Sequence, residues 1–158
     1  MKKNIFIFTF LFIFIFNGCA DKTAKAHTKF IKTYTISTTT DKAVEHIKNF
    51  LKNKNYIVTS VFNHEEQAIK LKEMLYPAKT INLYNSKIST KLIQCNASMA
   101  LEMPIRLAVY SELGGKTFVS YTDPEYWSLK HNIKDSKCLS LIMLIKNDLS
   151  DAVEGIKK

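Results

Sequence analysis

Residues 105–122 read Ile-Arg-Leu-Ala-Val-Tyr-Ser-Glu-Leu-Gly-Gly-Lys-Thr-Phe-Val-Ser-Tyr-Thr, and this stretch decides the fold. Ile105, Leu107 and Val109 alternate with Arg106, Ala108 and Tyr110, the period of a strand that buries one face. Gly114-Gly115 supplies the turn, and Thr117 to Thr122 is a second run rich in β-branched and aromatic residues. The two runs form a hairpin. Arg106 shares its face with Ala108 and Tyr110. If the Ile105 side packs on helices, the arginine points to the other side of the sheet, where Tyr121 of the partner strand can join it.

Outward from the hairpin, the pattern adds strands and helices in alternation. Phe30, Tyr34 and Ile36 share one face of a first strand. Thr40 or Asp41 caps a helix in which Ala43, Val44, Ile47, Phe50 and Leu51 keep the 3.6 period. Tyr56 to Phe62 is a second strand, His64 to Lys72 a short helix, and Thr80 to Tyr84 a third strand after Pro77. Ser86 to Leu101 is predicted as one helix, with Ile88, Leu92, Cys95 and Met99 at i+3 and i+4 steps. Beyond the hairpin, Asp123 caps a short helix that Pro124 opens. A long apolar helix then runs from Ser136 to Ile156, striped by Leu141, Ile142, Ile145, Leu149 and Val153. Five strands and several helices predict a single compact α+β domain over residues 30–158, helices packed on the sheet.

The segment before residue 30 has a different character. Met1 to Asn4 is a short positive region, Ile5 to Phe16 an apolar run broken only by Thr9, and Asn17-Gly18-Cys19 follows at once. Twelve helical residues rise about 18 Å, short of the ~30 Å hydrocarbon core. Residues 1–18 therefore read as a lipoprotein signal peptide, with Cys19 as the acylated residue. Gly18 suits that role, while Phe16 and Asn17 depart from the usual residues. Residues 19–29 form the lipidated cysteine and a flexible tether without large apolar side chains. Two acyl chains on Cys19 would hold a lipid bilayer stably. Ala20, rather than aspartate, after the cysteine favours the periplasmic face of an outer membrane in a Gram-negative cell. The expected location is the cell envelope.

Charge narrows the partners. Of 23 basic residues only Arg106 is arginine, and without Lys2 and Lys3 the chain keeps 21 basic against 14 acidic residues. Nucleic-acid readers use arginine for bidentate contacts, and these lysines are scattered, so no nucleic-acid partner is expected.

Several blocks recur together in one family: His64 followed by Ala68, Asn85-Ser86-Lys87, Thr90 to Gln94, Leu101-Glu102-Met103-Pro104-Ile105-Arg106, Gly115 with Tyr121-Thr122-Asp123-Pro124, and His131. On these the chain resembles domain-of-unknown-function family three hundred and two, over about Thr39 to Ile133. It departs from the family pattern at Asn63, where aspartate is usual, and at Tyr84-Asn85-Ser86, where Gly-Asn-Pro is usual. The resemblance implies a compact α+β fold and names no reaction.

Asn63-His64-Glu65-Glu66 has capping-box spacing, with the asparagine satisfying free N–H groups of the next helix. His64 would then sit in the first turn, where the helix dipole disfavours its cationic form. Arg106 is suited to grip a carboxylate or phosphate with two parallel hydrogen bonds, or to pair with Glu102 or Asp123. A ligand pocket built from His64, Gln94, Arg106, Tyr121 and His131 is the candidate site. Sequence motifs of known chemistry are missing, and His27 and His46 make no metal-ligand spacing, so neither cofactor nor metal is expected. Cys95 and Cys138 either pair in an oxidising compartment or stay free on apolar helix faces. The leading expectation is an envelope lipoprotein, without enzymatic activity, that binds a small anionic ligand or an envelope protein, alone or as a homodimer. Its rivals are a hydrolase or isomerase using His64 or His131 as general acid–base, and a purely structural interaction module.

Overall fold

The structure, a computed structural model, describes residues 30–157; the expected signal peptide and tether, with Cys19 and His27, lie outside the described residues. The hairpin forms from β4 (Ile105–Ser111) and β5 (Thr117–Thr122), with Leu107 opposite Tyr121 and Val109 opposite Val119. Gly114 and Gly115 both take positive φ, 93° and 75°, a region where a Cβ is costly. Before the hairpin come β1 (Ile31–Ile36), α1 (Thr40–Lys52), β2 (Ile57–Asn63), α2 (His64–Lys70), β3 (Ala78–Tyr84), α3 (Ser86–Cys95) and a 3-10 segment (Ala97–Glu102); after it come α4 (Glu125–Lys130) and α5 (Ser136–Glu154). The five strands make one antiparallel sheet in the order β1-β5-β4-β3-β2, so β4 is central. The fold is α+β.

One sheet face carries the core. Ile81 and Leu83 of β3, Leu107 and Val109 of β4, and Val119 of β5 are fully buried. Helix α1 packs on β2, β3 and β4, and α5 packs on α1, α3 and α4. Cys138, Ile142, Ile145, Leu149 and Val153 are buried along α5 at helical spacing, and Asp135 caps the helix by accepting the Cys138 N–H. Each such aliphatic side chain contributes about 1.5–3 kcal/mol when fully buried. A disulfide joins Cys95 at the end of α3 to Cys138 in the first turn of α5.

Three features differ from the expectation. First, α3 stops at Cys95 instead of running to Leu101. Asn96 is extended at φ −156° and ψ 122°, and its side chain accepts the Ser98 N–H, restarting the chain as the 3-10 segment. An asparagine carboxamide competes with the backbone for hydrogen bonds and favours a cap over helix propagation. Met99 still reaches the core, fully buried from this shorter element. Second, the N-cap of α1 is Thr39, one residue before the candidates Thr40 and Asp41. Third, Asp148, one of the charged residues that with Lys146 and Asp151 are expected to interrupt the apolar run of α5, is buried, accepting the Tyr56 hydroxyl at 3.1 Å with Lys54 at 3.5 Å.

Candidate functional site

The second sheet face carries no helix of the core layer, and the strand register defines its composition. From β3 it presents Thr80 and Asn82, from β4 Arg106, Ala108 and Tyr110, and from β5 Phe118, Ser120 and Thr122. The outer strands add Ser60 and Phe62 on one side and Ile31 and Thr33 on the other. None of these strand residues is acidic. Hydroxyls and amides link across the strands: Asn82 Nδ2 donates to Ser60 Oγ at 2.9 Å, Tyr110 Oη and Ser120 Oγ lie 3.1 Å apart, and Ser120 Oγ meets Thr33 Oγ1 at 2.9 Å. Arg106 stands between Asn82 and Thr122, exposed, and its guanidinium makes no hydrogen bond or ion pair with any described residue.

The expected pocket of five residues does not assemble. Tyr121 lies opposite Leu107, which puts it on the core face, away from Arg106. There it is buried, and its hydroxyl is 3.2 Å from that of Tyr34. Burial, reinforced by the Tyr34 hydrogen bond and the charge of Asp123, pushes the Tyr121 phenol well above its usual range. The single-residue register of β5 decides this, because neighbouring side chains along a strand take opposite faces. His64 does sit at the rim of the open face. Its Nε2 is 2.8 Å from Thr80 Oγ1, its ring meets Phe62 edge-on at 4.9 Å, and Asn63 caps α2 through the Glu66 N–H. Gln94 is on α3, lining a surface depression of about 620 Å³ beside the disulfide with Lys91, Asp135 and Lys137. Neither expected acidic partner reaches Arg106: Asp123 pairs with Lys32 at 3.1 Å, and Glu102 with Lys130 at 2.7 Å.

His131 belongs to a separate cluster. It follows α4 with 5% of its surface exposed, and both ring nitrogens are engaged. Nδ1 is 2.6 Å from Ser98 Oγ, and Nε2 is 2.8 Å from Glu102 Oε1. Asn96 Nδ2 donates to the His131 carbonyl at 2.8 Å, while Asn96 Oδ1 accepts from the Ser98 amide at 2.9 Å and from Ser98 Oγ at 2.8 Å. Burial pushes the Glu102 carboxyl up, but hydrogen bonds from Lys130 and His131 outweigh it and hold Glu102 below the usual carboxylate range. An ionised Glu102 only accepts, so the proton of a neutral His131 resides on Nε2. Nδ1 then carries a free lone pair 2.6 Å from Ser98 Oγ, whose own proton is donated to Asn96 Oδ1.

Sequence reasoning missed Ser98 and Asn96, because a continuous helix through Leu101 leaves them as ordinary surface positions. Asn96-Ala97-Ser98 does carry the spacing of an asparagine capping the amide two residues on, which is the signal that could have found them. Among the described residues no group of histidine, cysteine and carboxylate side chains is arranged to hold a metal ion.

The sequence profile of the family described as "Domain of unknown function DUF302" matches residues 32–155. The fold is similar to the crystal structure of an uncharacterized conserved DUF302 protein from Bacillus stearothermophilus, with a TM-score of 0.72 and 19% identity, over 82% of this chain and 99% of that one. That likeness is one of fold. No curated protein matches the chain.

Proposed function

This chain belongs to the DUF302 family, whose description carries no activity, and from its own side chains we propose a lipid-anchored envelope domain that binds a small anionic ligand at Arg106. The observation that carries this reading is an exposed guanidinium, unpaired among the described residues, on a sheet face where no strand residue is acidic. Guanidinium groups are usually matched to carboxylates or phosphates, and the planar fork grips such anions with two parallel hydrogen bonds. Asn82 and Thr122 flank it, adding side-chain donors, and the exposed Phe62 and Ile31 give apolar contact for the rest of a ligand. The net positive charge of the chain favours the encounter.

Anchoring rests on the Phe16-Asn17-Gly18-Cys19 segment after its apolar run. The Cys95–Cys138 disulfide supports export, since such bonds persist in oxidising compartments. No helix of the described residues is long and apolar enough to cross a membrane. In this reading acylated Cys19 holds the bilayer, and Cys19→Ala should move the protein from the membrane to the soluble fraction.

The binding half is tested by thermal shift against a panel of small carboxylates and phosphates. A ligand at a hundred times its Kd raises stability by about 2.7 kcal/mol. Arg106→Lys keeps the charge but loses the fork, so it should leave the unliganded melting temperature unchanged and abolish most of the ligand-induced shift. Unfolding of Arg106→Lys, or an undiminished shift, would refute the assignment.

A further inference from the structure

The junction of the 3-10 segment with α4 holds a serine, a histidine and a carboxylate in one hydrogen-bonded row. We propose that Ser98 is a nucleophile and His131 its general base, acting on esters of small acyl groups, with Glu102 as the positioning residue.

Three observations carry the proposal. Ser98 is exposed, whereas His131 behind it is 5% exposed, so the hydroxyl is open to a substrate while its base is shielded from water. The two links, 2.6 Å from Ser98 Oγ to His131 Nδ1 and 2.8 Å from Nε2 to Glu102 Oε1, fall within the reach required of a nucleophile, a base and the group that orients the base. Proton inventory then selects the working state. With Nε2–H directed at Glu102, Nδ1 is bare and 2.6 Å from Ser98 Oγ; the hydroxyl proton, donated to Asn96 Oδ1 at rest, reaches Nδ1 by rotation about the Cβ–Oγ bond. Once His131 takes the proton, both of its nitrogens still have acceptors. The charged groups bonded to this row are Glu102 from the 3-10 segment and Lys130 from α4.

The chemistry balances with water as the only co-reactant. Ser98 Oγ bonds to the acyl carbon as its proton passes to His131 Nδ1. The ester C–O bond then breaks, and the proton goes from Nδ1 to the departing alkoxide. A water oxygen next attacks the acyl carbon, giving one proton to Nδ1. The Oγ–C bond breaks, and Oγ takes that proton back. Ester and water have become acid and alcohol. Leu101 and Leu129, the sequence neighbours of Glu102 and Lys130, are 72% and 75% exposed and provide apolar surface for a short hydrocarbon acyl chain.

The full chain in detergent is treated with a fluorophosphonate probe and with p-nitrophenyl acetate, and adducts are located by peptide mass. One equivalent of probe should attach to Ser98, and the full chain should hydrolyse the ester. Ser98→Ala should abolish both signals. Glu102→Gln should slow them at least about tenfold and displace the pH profile, through loss of the tautomer control. His131→Gln should slow them by roughly a hundredfold or more. Because His131 is buried and its replacement can prevent folding, Ser98→Cys provides an independent arm. The thiol it introduces should be alkylated by iodoacetamide with an apparent pKa below the ordinary value of about 8.5, owing to the imidazole beside it. Probe adducts at Ser98 in none of these conditions, or a thiol that titrates at the ordinary value, would overturn the proposal. Arg106→Lys should leave every one of these signals in place, so failure here is distinguishable from failure of the anion site.

Discussion

Tyr56→Phe isolates the interaction that holds a buried carboxylate in α5. The ring of Tyr56 is 2% exposed and a phenylalanine would keep its packing, so the loss is confined to the hydroxyl that donates to Asp148 Oδ2 at 3.1 Å. Asp148 is 4% exposed, and its other oxygen is 3.5 Å from Lys54, whose side chain is 46% exposed. A hydrogen bond to a charged group contributes about 1.5–3 kcal/mol, whereas a half-exposed ion pair contributes about 0–1 kcal/mol. Tyr56→Phe is therefore expected to cost about 1.5–3 kcal/mol and Lys54→Met less than about 1 kcal/mol. With a urea m-value of about 2 kcal/mol/M, the first change lowers the midpoint by about 1 M. The single tryptophan, Trp127, is buried and reports unfolding by fluorescence. A double-mutant cycle with Asp148→Asn should recover most of the Tyr56→Phe loss as coupling energy. A Tyr56→Phe cost within error of zero, or a larger cost for Lys54→Met, would refute the assignment of Tyr56 as the main partner.

Two further outcomes follow from buried groups. Cys95 and Cys138 are 43 residues apart in sequence, so replacing both by alanine is expected to cost about 4 kcal/mol by the loop-entropy relation, measured by urea unfolding against the oxidised protein. Tyr56 and Tyr121 both have phenols raised above their usual value, chiefly by burial, and then by the charge of Asp148 and the hydrogen bond with Tyr34 respectively. Above about pH 10 the unfolded chain releases protons that the folded chain keeps. Their contribution is thus complete below pH ~10 and is lost as pH rises further, by about 1.4 kcal/mol per pH unit for each tyrosine. Tyr56→Phe should reduce that alkaline slope, and an unchanged slope would count against a raised Tyr56.

The α+β architecture was legible because its strongest signals are periodic. Ile105, Leu107 and Val109 bury one face of β4, and Ile142, Ile145, Leu149 and Val153 do the same along α5. Gly114-Gly115 marks the turn through a backbone requirement that few other residues meet. Arg106 was placed on the open face by alternation alone. Tyr121 was assigned to the wrong face because alternation within β5 does not say how β5 registers against β4, and a one-residue shift reverses every side chain. The burial of Asp148 was not legible, because composition ranks aspartate among exposed types and the tertiary approach of Tyr56 is what makes its burial tolerable.

The break at Asn96 links the least legible part of the fold to the cluster at His131. Had α3 continued to Leu101, Ile88, Leu92, Cys95 and Met99 would have formed one unbroken stripe. The structure retains the stripe through Cys95 and rebuilds Met99 from a tighter element. Nothing in the apolar pattern demands that change, since Leu92 and Met99 are fully buried with it. Its cost is an interrupted backbone ladder, offset by Asn96, which bonds the Ser98 amide on one side and the His131 carbonyl on the other. The same carboxamide therefore ends the helix and sets Ser98 against His131, while the 3-10 segment returns Glu102 to the far side of the imidazole. Local helical preference is overruled here, where Ser98, His131 and Glu102 from two elements are held in a row. Departures of that kind are where function most often displaces regular structure, and this one assembles a nucleophile, a base and an orienting carboxylate from residues that the sequence leaves scattered.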